Sequence, residues 1–241
     1  MDKQLRVYTK RNLKPNFFEG FFKKYSVTAW FIIINVVVFV LALLLINFLG
    51  DNGLEKVFGF LGIQPILFFN GAIWTLITSM FMHANFTHLF VNMISLFFIG
   101  SFIEKLIGRK RFFWLYMISG VVAGLMFVFL AYFFGTSEFG ARAFGSPETL
   151  AVGASGAIFA LGGLLAILTP KLRVYVMFVI PMQMWFAMVV LLGGFWLASI
   201  FGNLPIGNTA HFGGLLVGVV YGLYLRKRYP RKTAMLARQF S

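Results

Sequence analysis

Residues 29–49 read AWFIIINVVVFVLALLLINFL. This uncharged run of 21 residues exceeds the ~20 helical residues that cross a ~30 Å hydrocarbon core. No water satisfies the backbone there, so the run must be a helix. Five further apolar runs follow, at about Asn85 to Ile107, Phe112 to Phe134, Leu150 to Leu168, Val174 to Phe201 and Ala210 to Leu225. Barrel strands alternate in polarity and would not read as continuous Leu, Ile, Val and Phe. The pattern predicts an all-α membrane protein, a bundle of six transmembrane helices. Of the 241 residues, 60% are hydrophobic and 12% charged, with mean hydropathy +0.86. That lies outside the range of soluble domains.

A net charge of +14 would suggest nucleic acid in a soluble chain. Here the cations sit between the apolar runs, and topology explains them. Alternate gaps hold 19 and 2 of the 21 Lys and Arg residues. The rich gaps include Lys3 to Lys24, Lys105 to Arg111, Lys171 with Arg173, and Arg226 to Arg238. By the positive-inside rule both termini are cytoplasmic, as an even number of spans requires. The expected setting is a prokaryotic plasma membrane, with the lipid bilayer as partner and no nucleic acid.

The domain reading is a basic cytoplasmic segment at 1–25, a membrane domain at 26–228 and a basic cytoplasmic tail at 229–241. The first apolar run is too long for a cleaved signal peptide and should stay as an anchor. Cysteine is absent, which excludes disulfides and thiolate chemistry. The first external loop, Gly50 to about Ala84, carries Phe, Leu and Ile with Trp74, interleaved with Gly and Pro, and is expected to lie in the membrane interface. Gly156, Ala160 and Gly163 in the fourth run, and Gly214, Gly218 and Gly222 in the sixth, recur at spacings of three and four. Each set falls on one helical face, so these two helices should touch.

His83, His88, Asn92, Ser155 and His211 are polar residues placed among these spans. Polar groups at such depth mark functional sites facing the protein interior. Depth follows from the ~1.5 Å rise per residue, counted from each span's cytoplasmic cation. Ser155 and His211 lie ~22 to 24 Å above Lys171 and Arg226, and His88 and Asn92 lie ~20 to 26 Å above Lys105. All four fall in one layer near the outer face. A serine needs a base to become a nucleophile, and a neutral imidazole can accept its proton. Ser155 and His211 supply that pair, and no carboxylate lies at their depth to orient the imidazole. His88 and Asn92, at i and i+4, could stabilise an oxyanion with the Ser155 N–H. Gly153 and Gly156 leave room for a substrate backbone.

The segments His83-Ala-Asn-Phe-Thr-His88-Leu-Phe-Val-Asn92, Gly153-Ala-Ser155-Gly156 and Ala210-His211-Phe-Gly213-Gly214-Leu-Leu-Val-Gly218, in that order, resemble the signature of rhomboid intramembrane serine proteases. The resemblance extends from about Trp74 to Tyr224. It implies Ser155 as nucleophile, His211 as general base, His88 and Asn92 as oxyanion stabilisers, and His83 as a polar group that holds water or supports the site. It also implies a structural Gly100-x-x-x-Glu104, a fifth-span lateral gate with Pro181 at its cytoplasmic end, and transmembrane proteins as substrates. No cofactor is implied. Two positions depart from the family pattern. Trp74-Thr75 replaces Trp-Arg, and Phe159 replaces the tyrosine that stacks on the catalytic histidine.

Two other classes stay open at this point. One is a rhomboid-like pseudoenzyme that binds transmembrane helices without cleaving them, which the retained Ser155 and His211 disfavour. The other is a small transporter using the histidines as a relay, which would call for buried carboxylates or duplicated halves. A metal site is disfavoured because His83 and His88, read on one helix, would diverge by ~140°.

Overall fold

The structure, a computed structural model, describes residues 26–176, 179–202, 204 and 206–240. The basic segment 1–25 lies outside the described residues, as do Asn203 and Pro205 of the loop before the last long helix. The long helices are α1 (Val27–Leu49), α2 (Phe86–Ile107), α3 (Arg109–Phe134), α4 (Ser155–Leu168), α5 (Met184–Gly202) and α6 (Asn208–Arg228), and a tail helix, α7 (Pro230–Arg238), follows. Four helices among the described residues, α2, α3, α5 and the one that begins with α1 and continues to Leu61, are long and apolar enough to cross a membrane. Of the other two expected spans, α4 has 14 residues, or ~21 Å, and α6 opens on Asn208, Thr209 and His211 and closes on Arg226, Lys227 and Arg228.

Each element has a local cause. Ser26 caps α1 by accepting from the Ala29 N–H, and Asn85 caps α2 by accepting from the His88 N–H. Within α2, residues Leu96–Gly100 form a π turn. Gly108, at φ 85°, ends α2 and starts α3 in a single left-handed residue. Glu104, on the last turn of α2, accepts hydrogen bonds from the Val27 and Thr28 N–H groups at 3.0 and 2.8 Å and from the Thr28 and Ser26 hydroxyls at 2.6 and 3.1 Å. Arg109 pairs at 3.2 Å with Oε1, the oxygen that also accepts from Val27. A carboxylate from one helix thus caps the N-terminus of another, where the backbone dipole favours negative charge.

α4 is the centre of the bundle, buried without interruption from Gly156 to Leu165. It packs on α6 as the spacing of small residues predicts. A Cβ on Gly214 would collide with the Gly156 carbonyl, one on Gly218 with the Ala160 carbonyl, and one on Gly163 with the Leu215 carbonyl. Backbones can approach this closely only where side chains are missing. The outer helices instead expose large apolar side chains such as Leu41, Leu44, Phe133, Val189 and Phe201. In a membrane-embedded chain that is the lipid-facing surface.

Two expected spans differ in detail. The run from Val174 to Phe201 is not one helix: β1 (Arg173–Val176) and β2 (Ile180–Gln183) form an antiparallel hairpin pairing Tyr175 with Pro181, and α5 starts only at Met184. Val, Tyr and Ile favour strands, and Pro181 cannot sit inside a helix. Pro181 is therefore a hairpin residue, not the foot of α5. The run from Leu150 is also not helical at its start. Ala151 pairs with Ile63 in an isolated bridge, and the helix begins at Ser155. In the loop after α1 the chain forms short helices at Gly53–Leu61, Pro65–Phe69 and Thr75–Thr78. Buried Thr75, where the resemblance leads one to expect arginine, closes a turn by donating its hydroxyl to the Ala72 carbonyl.

Candidate functional site

Ser155 is the first helical residue of α4, and the chain reaches it through a short extended segment held at two points. Ala151 exchanges backbone hydrogen bonds with Ile63, and the Gly153 N–H donates to the Ser79 carbonyl at 2.8 Å. Gly153 has φ +128°, a conformation L residues rarely adopt, and a Cβ there would come within 2.8 Å of the His88 ring. Glycine at 153 therefore serves both the turn and the close approach of an imidazole. Backbone N–H groups in the first turn of α4 have no partner within the helix, so the start of α4 presents donors where Ser155 stands.

From the first turn of α6, His211 reaches across to this point. Its Nε2 lies 2.8 Å from the Ser155 Oγ. Phe159, one turn beyond Ser155, stacks on the imidazole with centroids 4.4 Å apart and planes 11° from parallel. Phe195 of α5 tilts against the same ring at 5.7 Å. The His211 Nδ1 is buried without a hydrogen-bond partner among the described residues. The ring is thus fixed by aromatic faces and one serine rather than by a carboxylate. An imidazole so placed can take the hydroxyl proton at Nε2 while Nδ1 keeps its own.

His88 and Asn92 sit on one face of α2 and line the same cavity as Ser155 and His211, a space of about 1220 Å³. The Asn92 amide donates to the His88 carbonyl at 3.0 Å, which holds it along its own helix. Ser95 of α2, Met188 of α5 and Val176 of the hairpin also line the cavity. Glu138 and Arg142, which pair with each other at 2.7 Å, line it as well.

His83 lies behind this layer. It precedes α2 rather than sharing that helix, so its angular separation from His88 on a helical wheel does not apply. The two rings meet edge to face at 5.0 Å. His83 is buried, and neither ring nitrogen has a hydrogen-bond partner among the described residues. Gly156 lines the same cavity, and a Cβ there would collide with Ala123 of α3, so its missing side chain also serves helix packing. Among the described residues no group of three or more His, Cys, Asp or Glu side chains could hold a metal ion.

Sequence reasoning missed Phe195, the Ser79 carbonyl and Asn208. Asn208, one turn before His211, buries its side-chain amide without a partner among the described residues. Only Asn208 carried a signal, as a polar residue opening an apolar helix.

Residues 70–228 match the family model described as "Rhomboid domain". The chain is 35% identical over 164 residues to "RHOMBOID-like protein 12, mitochondrial" of Arabidopsis thaliana, covering 66% of this chain and 48% of that protein. It is 32% identical over 169 residues to "Rhomboid protein 1, mitochondrial" of Saccharomyces cerevisiae, covering 66% and 43%. To "Rhomboid protease GluP" of Bacillus subtilis it is 28% identical over 172 residues, covering 70% and 29%. The chain spans less than half the length of these relatives.

Proposed function

This chain belongs to the rhomboid family, and from that premise we propose that it is an intramembrane serine endopeptidase, hydrolysing a peptide bond in or near a transmembrane segment of another membrane protein. The observation that carries the reading is the 2.8 Å contact between the Ser155 Oγ and the His211 Nε2, backed by the stacked ring of Phe159. Ser155 attacks the scissile carbonyl as its proton passes to Nε2 of His211. The imidazolium then returns that proton to the leaving amine, and water repeats the cycle on the acyl-enzyme. Charge on the tetrahedral oxygen is met by the Ser155 N–H at the start of α4, with the His88 ring and the Asn92 amide completing the donor set. Phe159 and Phe195 hold the imidazole plane, a task that a buried carboxylate performs in a full triad. His83 supports the His88 ring from behind.

The topology that fits this chemistry has six spans, with α4 and α6 crossing as a close pair, both termini cytoplasmic and the dyad nearer the outer face. A substrate helix entering beside α2 and α5 must unwind locally, because its scissile carbonyl is otherwise held in an i→i+4 bond. Spans with Gly near the cleaved bond should be preferred. A prokaryotic plasma membrane accompanies this reading, and localising a tagged chain in its own cells tests it, since relatives named above are mitochondrial.

The direct test is labelling of the purified protein with a fluorophosphonate. Stoichiometric modification of Ser155, lost in His211→Ala, is the expected result. A folded protein that neither labels nor cleaves any model transmembrane substrate would be a binding protein instead.

A further inference from the structure

The end of the molecule remote from Ser155 carries a charge pattern that peptide hydrolysis does not use. Lys110, Arg111, Lys171, Arg226, Arg231 and Lys232 are all exposed there. The acid described at this end is Glu104, which is buried and committed to the start of α1. Helix α7 adds a second feature. Its Thr233, Leu236 and Ala237, with Phe240 beyond, are half-buried, and Phe240 meets Phe102 of α2 edge to face at 6.0 Å. Its other face presents Arg231, Lys232 and an exposed Met235. Between α7 and the end of α4 lies a cleft of about 250 Å³, with Ile167, Leu168, Pro170 and Ala237 among its walls and Arg226 lining it as well. Arg226 closes the last turn of α6, next to Leu225 of the apolar core.

A cation beside an apolar slot, at the foot of helices that face lipid, has the chemistry of an amphiphile site with an anionic head. We propose that this cleft binds an anionic phospholipid, its phosphate against Arg226 and its acyl chain along Ile167 and Pro170, and that the bound lipid keeps α7 docked on the bilayer surface, where Arg231 and Lys232 on the helix's other face meet neighbouring headgroups. A basic helix with an exposed Met is suited to lie in that plane.

The test uses the full chain in nanodiscs of phosphatidylcholine and phosphatidylglycerol at about a 3:1 ratio, followed by native mass spectrometry of the lipid retained; each cation removed near the headgroup should weaken retention about fivefold. Arg226→Gln should lose phosphatidylglycerol selectively, and Arg231→Gln, on the face of α7 away from the cleft, should lose less of it. Lys56→Gln, in the loop after α1, should lose none. The chain has no cysteine, so Met235→Cys can carry an environment-sensitive dye. Its emission should shift to the blue in the mixed nanodiscs and not in phosphatidylcholine alone. Equal retention of the two lipids, or an equal loss in Lys56→Gln, would overturn the site. So would the same dye shift produced by glycerophosphoglycerol, which has the headgroup without acyl chains.

Discussion

Two buried polar clusters lie along α2, and they are built on opposite terms. Around Glu104 the bonding capacity is spent: the carboxylate accepts from two backbone N–H groups and two hydroxyls and pairs with Arg109. Around Ser155 and His211 it is not. The His211 Nδ1 has no partner among the described residues, Gly153 is held in a conformation few residues tolerate, and the layer opens on a cavity. A saturated cluster fixes helices to one another. A cluster with unspent donors and acceptors has something left to offer a third party.

The sharpest way to break this contrast is Ser155→Ala. Turnover of a model transmembrane substrate should fall by about 10,000-fold or more, with the thermal unfolding midpoint in detergent unchanged. Residual turnover within tenfold of the parent would remove the dyad from the chemistry. The opposite split is expected of Glu104→Ala. It strands the Thr28 hydroxyl and the first N–H groups of α1, a loss of about 2 to 4 kcal/mol of stability. Turnover per folded molecule should hold at a temperature where the variant remains intact. A variant equally stable but inactive would show that the two clusters are not divided in this way. Asn92→Ala should lower kcat by about 10 to 1000-fold, as loss of one oxyanion donor does, leaving KM close to the parent value. Unchanged kcat would leave the amide with only its bond to the His88 carbonyl. Phe159→Leu should give the smallest effect, about 1 kcal/mol in kcat from the lost stacking on His211. Phe159→Tyr should restore it, because the ring face and not a hydroxyl is what the imidazole meets.

Much of the site was legible because depth in a bilayer can be counted from sequence. The spacing from Ser155 to Lys171 and from His211 to Arg226 placed two residues 56 positions apart in one layer, and close packing of α4 on α6 followed from glycine spacing. Neither reading needs knowledge of side-chain direction. Where direction matters, sequence had less to offer. Gly156 reads as open space, but the packing of Ala123 against it shows only in the structure, and the edge-to-face meeting of His83 with His88 could not be read from their spacing. Residues 173–183 failed for another reason. Between Arg173 and Gln183 the run is apolar at every position, so its period cannot separate strand from helix. Pro181 was the available sign.

The π turn at Leu96–Gly100 has a geometrical result. Asn92 and Glu104 are twelve positions apart, and on a regular α-helix they would point about 120° away from each other. A wide turn absorbs one residue of winding, which brings the two directions to within about 20°. Both side chains are in fact buried. One surplus residue in the middle of the span thus sets the rotational phase of its two halves, letting a single rod aim both its anchor and its chemistry inward.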